Sequence, residues 1–361
     1  MKTRREFMKE TAGAAAGIVF TGCGLLGPER ARAQAQPSGK RREVSVGGRR
    51  ARVIDVHAHC TVPAASELLK ISPLSPIGPG MNAVGDRRIG EMDGFGIDME
   101  VLSINPWWYR AERDVAEKVI RIQNEKLAEF CSRWPDRFAA FASLSLQFPD
   151  LAVQQLEEGM KKWRLRGAAI GGSVDGTDFS DPKFHPVWAK AEELGAVLFI
   201  HPQSTPQLAG RFKGNGWLSN TIGNPLDTTI ALEKLIFEGT LDRFPGLKVI
   251  SAHGGGYLPS YAPRMDHSCR VNPDECNPNI KLKKKPTEYL RSMYFDSLVF
   301  TSEALRHLAA EVGTSQIMIG TDHPIPWNLQ AVDHVLNTPG LSDAEKMAIL
   351  GGNAARVLNI K

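Results

Sequence analysis

The sequence lacks a long apolar run, a strong charge of one sign and an internal repeat. Its most apolar early stretch, Thr11 to Phe20, is too short to span a membrane as a helix. The net charge of the 361 residues is only +4; residues 1–50 carry +7 and the remainder carries −3. This balance predicts no basic surface of the kind that binds nucleic acid. The absence of repeats excludes a repeat array.

The first residues resemble an export signal. The stretch Thr3 to Lys9 is similar to a twin-arginine signal, and a small-x-small cleavage site follows at Ala31-Arg32-Ala33. We therefore expect residues 1–33 to be a signal peptide and the mature protein to be periplasmic or secreted. The segment Phe20 to Cys23 also resembles a lipobox, so a lipid anchor at Cys23 is the alternative.

Cysteine is scarce as well. Five cysteines in a chain of 39.6 kDa indicate no disulfide framework. Cys269 and Cys276 could pair in an oxidising compartment. Because twin-arginine substrates generally fold in the reducing cytoplasm before export, we expect free thiols at both positions.

From Ala51 onward, short apolar runs alternate with amphipathic helical patterns. Residues 34–50 are polar, basic and glycine-containing, and we predict a flexible linker there. Strands separated by helices at this spacing indicate parallel β/α units, and eight units over residues 51–361 predict a (β/α)8 TIM barrel. The predicted strands are Val53–His57, Val101–Asn105, Ala139–Leu144, Gly167–Ile170, Val197–His201, Lys248–His253, Tyr294–Ser297 and Ile317–Thr321.

The stretch Asp55-Val56-His57-Ala58-His59 ends the first predicted strand. Side chains two residues apart on a strand point to the same side, so Asp55, His57 and His59 are predicted to share one face. Neutral imidazole is a common ligand for zinc and similar ions. Two histidines on one face therefore suit a divalent metal ion, and the alternative is a strand end with two solvated histidines.

Further polar residues end other apolar runs. His201, His253 and Asp322 end the fifth, sixth and eighth predicted strands. In a (β/α)8 barrel the functional groups lie at the C-terminal ends of the strands, where these side chains would meet. Three imidazoles and one carboxylate satisfy a mononuclear metal site with a position open for water or substrate. Asp296, which ends the seventh strand, is a candidate for orienting a polar network.

These motifs are similar to those of the amidohydrolase superfamily, and within it to the branch of aminocarboxymuconate-semialdehyde decarboxylase. The resemblance runs from about Asp55 to Leu358. Beyond the ligand motifs it rests on Glu91-Met92-Asp93, Val101-Leu102-Ser103, Asp181 to His201, His253-Gly254-Gly255-Gly256, Gly320-Thr321-Asp322 and Gly352-Asn353-Ala354. The branch also contains γ-resorcylate and other aromatic-acid decarboxylases, hydratases and hydrolases.

The resemblance implies roles for individual residues. The implied metal ligands are His57, His59, His201 and Asp322. The implied catalytic residues are His253 and Asp322, with His253 near the metal-bound water. Arg264, eleven residues after His253, matches an arginine that binds the substrate carboxylate in the branch.

Two departures from the branch concern the substrate. Its substrate-binding arginine after the first strand has no clear counterpart, although Arg87 and Arg88 lie nearby. The tryptophan that follows its fifth-strand His-Pro is Gln203 here, so we include Gln203 among the candidate substrate contacts. Trp107 and Trp108 follow the second strand and could line an aromatic substrate or pack under the loop after the first strand.

The sequence also indicates how many metal ions bind. Binuclear amidohydrolases bridge two ions with a carboxylated lysine at the end of the fourth strand. The stretch Gly167 to Gly172 contains no lysine. We therefore expect one divalent ion, Zn²⁺ in the first place and Mn²⁺ as the alternative.

Together these observations predict a metal-dependent enzyme. The preferred reaction is non-oxidative decarboxylation of an unsaturated or aromatic carboxylic acid, and the alternative is hydrolysis of a lactone, ester or amide on the same barrel. A non-catalytic exported binding protein is a third hypothesis, against which the complete set of ligands argues. The dimers of the family imply a homodimer.

Export can be tested through the paired arginines. Changing Arg4 and Arg5 together to lysine is expected to trap the precursor in the cytoplasm, because the twin-arginine pathway reads the arginine pair. Cell fractionation followed by immunoblotting measures this, and unchanged export would rule out the assignment. Mass spectrometry of the mature N-terminus separates cleavage before Gln34 from a lipidated Cys23.

Overall fold

The structure is a computed structural model that describes residues 41–70, 85–276, 278–325, 327 and 330–361. The predicted signal peptide, the cleavage site and Cys23 lie outside these residues. So do the first part of the predicted linker and residues 71–84 of the loop after the first barrel strand.

All eight predicted barrel strands are present, with ends that shift by up to four residues. Ahead of them lie β1 (Ser45–Val46) and β2 (Arg49–Arg50). The barrel strands are β3 (Ile54–His59), β4 (Met99–Ser103), β5 (Phe138–Ala140), β6 (Gly167–Ile170), β7 (Val197–Ile200), β8 (Lys248–Ser251), β9 (Tyr294–Asp296) and β10 (Ile317–Met318).

The barrel strands form one closed parallel ring. Strands β3 to β5 pair in sequence order, as do strands β6 to β10. A bridge between Ala142 and Ala168 joins the two sets, and a bridge between Ala58 and His323 closes the ring. The predicted (β/α)8 barrel is therefore confirmed.

Helices surround this ring. They are α1 (Pro63–Leu68), α2 (Gly85–Phe95), α3 (Arg113–Arg133), α4 (Pro149–Lys161), α5 (His185–Leu194), α6 (Asn224–Phe237), α7 (Thr240–Arg243), α8 (Leu258–Val271), α9 (Pro273–Cys276), α10 (Pro286–Leu290), α11 (Ser302–Val312), α12 (Ala331–Asn337), α13 (Asp343–Met347) and α14 (Asn353–Val357). None of the helices in the described ranges is both long and apolar enough to cross a membrane.

Both faces of the barrel strands are buried, and for this reason the strands are continuous apolar runs in the sequence. In β7, Val197 and Phe199 belong to the inner core, whereas Leu198 and Ile200 belong to the outer core under the helices. The helices contribute one apolar stripe each to the outer core. In α3, for example, Val119 and the other buried residues recur every three to four positions.

The segment just before the barrel is not the predicted flexible linker. Strands β1 and β2 form an antiparallel hairpin. Val44 and Val46 are 2% and 5% exposed, since they pack into the outer core. Two buried valines give this short segment enough apolar contact to be held in place. The polar composition of the segment as a whole did not predict this contact.

The expectation of free thiols is wrong for one pair of cysteines. Cys269 and Cys276 form a disulfide. Cys269 lies near the end of α8 and Cys276 ends α9, and the short connection brings their Cα atoms to 4.9 Å, within the range that a disulfide spans. Cys60 and Cys131 remain free thiols.

The end of the barrel opposite to the strand C-termini offers a test of packing. Gly351 lies against the backbone of Arg52, and a Cβ at this position would overlap the Arg52 carbonyl oxygen. Gly351→Ala is therefore expected to lower the free energy of unfolding by about 1–3 kcal/mol, the usual cost of overpacking. Urea unfolding measures the change.

The neighbouring glycine provides a matched control. At Gly352 the nearest atom to an added Cβ is the Met347 carbonyl oxygen at 3.4 Å, an ordinary contact. Gly352→Ala should leave stability unchanged or raise it by up to about 1 kcal/mol, because alanine is the better helix former. Equal destabilisation by both substitutions would contradict the packing explanation.

Candidate metal centre

A bulge in β3 aims two histidines at the centre of the barrel. Asp55 pairs with Glu100 and Ala58 with Leu102, so β3 has one more residue than β4 between these pairs. A bulge breaks the alternation of side chains, and for this reason the predicted common face of Asp55, His57 and His59 is wrong. His57 and His59 lie together, whereas the Asp55 carboxylate accepts hydrogen bonds from Thr321 and from the backbone N–H of His57.

Four buried side chains bring one ligand atom each to a common point. They are His57, His59, His201 and Asp322, and these ligand atoms lie within 4.8 Å of one another. The Nε2 atoms of His57 and His59 are 3.1 Å apart, and Asp322 Oδ1 lies 3.3 Å and 2.9 Å from them. The structure thus brings together the ligand set that the sequence predicted.

The hydrogen bonds of the two β3 histidines fix which nitrogen faces this point. His57 Nδ1–H donates to Asp296 Oδ2 at 2.6 Å. The Ser103 hydroxyl donates to the Ala58 carbonyl, so its oxygen accepts from His59 Nδ1–H at 2.9 Å. In both rings the Nε2 lone pair is left free for a metal ion, and such outer partners commonly orient metal-binding histidines. Sequence reasoning did not single out Ser103.

His201 provides an independent test of whether a metal ion fits. It is buried, and neither ring nitrogen has a hydrogen-bond partner within the described part of the chain. Its ring centroid lies 4.4 Å from that of His59 and 5.0 Å from that of His57. Buried polar atoms are nearly always satisfied, so the His201 ring requires a ligand, and a metal ion at the shared point supplies one.

The charges at the centre also favour a cation. Burial disfavours the charged ring of His57, but the carboxylates of Asp322 and Asp296 outweigh it and raise the pKa of His57 to about 10, so positive charge is stabilised at this point. A metal ion would take the place of the proton on Nε2. Burial opposes ionisation of Asp322 too, yet the surrounding imidazoles hold its pKa well below the usual range. Burial and the neighbouring histidines lower the pKa of His201, which keeps that imidazole in the neutral form that binds metals.

His253 lies beside the four ligands without belonging to them. Its Nε2 is 3.8 Å from Asp322 Oδ2, and its ring centroid is 5.2 Å from that of His57. The His253 backbone adopts φ 55°, a left-handed conformation, and its N–H donates to Asp296. With Nδ1 lacking a partner among the described residues, the ring is positioned to exchange a proton with a bound molecule.

The end of β6 is closely packed. Gly171 and Gly172 follow the strand, at the place where a bridging lysine would be expected in a binuclear centre. A Cβ on Gly172 would overlap the carboxylate of Asp227, which accepts a hydrogen bond from the Gln203 backbone at 2.9 Å. Burial raises the pKa of Asp227 to about 6.

Comparison with known proteins agrees with this geometry. The sequence profile of the amidohydrolase family matches residues 54–360. A 2-amino-3-carboxymuconate-6-semialdehyde decarboxylase of Dictyostelium discoideum is 33% identical over 279 residues, covering 76% of each chain. This chain belongs to the amidohydrolase family.

Two solved structures have the same fold as this amidohydrolase. A 5-carboxyvanillate decarboxylase from Sphingomonas paucimobilis gives a TM-score of 0.77 at 26% identity and covers 86% of this chain and 100% of its own. A dihydroxybenzoic acid decarboxylase from Polaromonas sp. JS666, solved with manganese and the inhibitor 2-nitroresorcinol, gives a TM-score of 0.75 at 26% identity over 86% and 97% of the two chains. The sequence-predicted branch of the superfamily is thereby confirmed.

A cavity of about 360 Å³ in this amidohydrolase includes His253 in its lining. Its apolar wall includes Leu298, Val299, Phe300 and Trp327, which follow β9 and β10. Sequence reasoning missed these residues because they lie in loops and carry no ligating groups. Proximity in sequence to a strand C-terminus was the one signal that could have identified them.

The predicted substrate contacts lie in different places. Trp107 and Gln203 line a second cavity of about 380 Å³, together with Asp227. Trp108 is fully buried and its indole N–H donates to the Leu144 carbonyl, so it packs in the core and lines neither cavity. Arg264 is exposed on α8 and does not line either cavity.

The metal stoichiometry of the amidohydrolase is the first test of this centre. Protein purified without chelator is expected to contain one divalent ion per chain by elemental analysis. His57→Ala should lose the ion, because removing one of four protein ligands weakens the whole site. His307→Ala, a substitution of an exposed histidine on α11, is the control and should retain it. Two tightly held ions per chain would refute a mononuclear centre.

Proposed function

We propose that this amidohydrolase is a metal-dependent, non-oxidative decarboxylase of an aromatic or conjugated unsaturated carboxylic acid. The observation that carries the proposal is a complete set of four ligands with His253 beside it as an unligated imidazole. The names of the relatives support the same reaction class, since the curated relative and both solved structures described above are decarboxylases.

The proposed chemistry needs a proton donor near the carbon that bears the carboxylate. A divalent ion bound by the four ligands would act as a Lewis acid toward substrate oxygens. His253 would donate its proton to the carbon that carries the carboxylate; the bond to the carboxylate then breaks, carbon dioxide leaves and the electron pair restores the double bond. Oδ1 of Asp322 lies beside the histidine ligands, and its Oδ2 lies 3.8 Å from His253 Nε2. Asp322 would therefore both bind the ion and orient the His253 imidazole.

The lining of the His253 cavity supports a flat, largely apolar substrate. Phe300 and Trp327 contribute aromatic surface, and Trp327 stacks on Trp217 with centroids 5.4 Å apart. Among the described lining residues there is no lysine or arginine. We therefore propose that the substrate carboxylate is held at the metal centre rather than by a cationic side chain of the cavity, a role that had been expected of Arg264.

We propose zinc as the resident ion. Three imidazoles and one carboxylate are ligands that Zn²⁺ prefers. The manganese in the Polaromonas relative makes Mn²⁺ the main alternative. The elemental analysis described for the metal centre distinguishes the two ions.

We also propose that the protein acts outside the cytoplasm. The twin-arginine motif carries this proposal, and the disulfide between Cys269 and Cys276 supports it, because disulfides persist mainly in oxidising compartments. The disulfide would then form after export of the folded chain.

Substitution of His253 tests whether this residue is a catalytic group or a metal ligand. His253→Asn is expected to keep metal content and the thermal midpoint near wild type, because the residue lies outside the ligand set. Turnover should fall by at least about a hundredfold, since a positioned acid–base group contributes roughly 10²–10⁴. Loss of metal in the variant would make His253 a ligand, and near-normal turnover would remove it from the mechanism.

Product analysis on the wild type tests the reaction itself. Incubation with benzoate-type and conjugated acids should release carbon dioxide in equal amounts with the decarboxylated product. A parallel screen of lactones, esters and amides serves as the comparison. Formation of a new carboxylic acid with an alcohol or amine, and no carbon dioxide, would replace the decarboxylase with a hydrolase.

A further inference from the structure

A buried cluster of charged side chains lies against the backbone of the metal ligands. Its members are Arg88 and Glu91 on α2, Glu100 on β4 and His323 after β10. Arg88 is 4% exposed and Glu100 is fully buried. None of the four belongs to the ligand set. Burying such charges is costly, so the cluster calls for an explanation beyond surface solubility.

The guanidinium of Arg88 binds three partners at once. Its Nε donates to Glu100. Its Nη1 donates to the carbonyl oxygen of His59 at 2.7 Å, and its Nη2 donates to the carbonyl oxygen of His323 at 3.4 Å. Because His59 is a ligand and His323 directly follows the ligand Asp322, one side chain connects the two segments that carry them.

These two segments meet where the barrel closes. The backbone N–H of His59 donates to the His323 carbonyl at 2.6 Å, and the N–H of Asp322 donates to the His57 carbonyl at 2.8 Å. Asp322 has φ 62°, a left-handed conformation that is uncommon for residues other than glycine. The position of the Asp322 carboxylate therefore depends on this junction.

His323 is held in the same cluster and not at the metal centre. Its Nδ1 lies 2.6 Å from Glu100 and its Nε2 lies 3.2 Å from Glu91. Phe95 packs against the ring edge-on, with centroids 5.9 Å apart. Glu100 thus anchors both Arg88 and His323, and the two together fix the chain on either side of the ligands.

We propose that Arg88 is a positioning residue for the metal centre. Its guanidinium holds the His59 and Asp322 segments at the separation that metal binding requires. The inference rests on the metal centre of the proposed function. An arginine suits this role because its planar fork donates in several fixed directions, whereas a lysine is a single point of charge. The donors of Arg88 are taken up by Glu100 and by the two carbonyl groups, which fits a positioning role.

The test compares metal binding by the wild type and by Arg88→Lys. The substitution keeps the charge but cannot reach both carbonyl groups and Glu100 in the same geometry. Metal affinity, measured by competition with a chromophoric chelator, is expected to fall by about tenfold to a hundredfold, as for other partners of metal ligands. The visible absorption of the Co²⁺-substituted protein should shift, because the ligand arrangement around the ion changes.

Arg137 offers a matched control at the other end of the barrel. It donates to the carbonyl oxygens of Asp98 at 2.9 Å and Ile97 at 3.3 Å, and to the carboxylate of Asp93 at 2.8 Å. Arg137→Lys removes the same type of contact before β4 and β5 begin, away from the ligands. It is expected to lower the thermal midpoint. Metal affinity should stay within twofold of wild type, and the Co²⁺ spectrum should not shift.

The outcomes separate a positioning role from a purely structural one. If Arg88→Lys lowers the thermal midpoint as Arg137→Lys does but keeps wild-type metal affinity and Co²⁺ spectrum, the proposal is overturned. Should Arg88→Lys fail to fold, Glu100→Gln takes its place, and unchanged affinity in that variant overturns the proposal equally. No substrate enters these measurements, so a wrong assignment of the reaction would leave their result untouched.

Discussion

The carboxylate of Asp296 accepts four hydrogen bonds, and the geometry of the site depends on them. One comes from the ring of His57, and the others come from the backbone N–H groups of His253, Gly254 and Leu298 at 2.8–3.0 Å. A single fully buried side chain at the end of β9 therefore sets the tautomer of a ligand and the turn that carries the catalytic candidate. Burial alone would raise the pKa of Asp296, but the hydrogen bond and charge of His57 hold it below its usual value. The ionised carboxylate is the form that can accept all four bonds.

Closure of the barrel brings the remaining parts of the site together. His57 and Asp322 are far apart in sequence, and they become neighbours because the chain after β10 pairs beside β3. The backbone bonds across this junction place the Asp322 carboxylate against the histidines, and the buried cluster around Arg88 and Glu100 lies directly behind it. Ligand positions in this enzyme are thus a property of the closed ring and not of any one strand.

The sequence predicted the ring and its ligands because both depend on local patterns. Each barrel strand is a short apolar run, and His201, like Asp322, directly follows such a run near the C-terminal end of its strand. What the sequence could not predict depends on contacts between distant segments. The bulge in β3 separates Asp55 from the histidines, and the burial of Val44 and Val46 replaces a linker with a hairpin. The adjacent residues Trp107 and Trp108 look alike in sequence, yet one is 44% exposed and the other fully buried. Asp296 was recognisable only as a polar residue at a strand end.

The end of β6 shows why the absence of a lysine in the sequence was informative. Other side chains fill the space next to Gly171 and Gly172, where a bridging lysine would begin. The ring of Tyr109 and the side chain of Gln203 lie 3.3 Å and 3.4 Å from the position of a Cβ on Gly171, and the Asp227 carboxylate occupies that of Gly172. A lysine at Gly172 would displace the Asp227 carboxylate, which accepts a hydrogen bond from the Gln203 backbone. The close packing around β6 therefore agrees with the expectation of a single ion, which rested on the missing lysine.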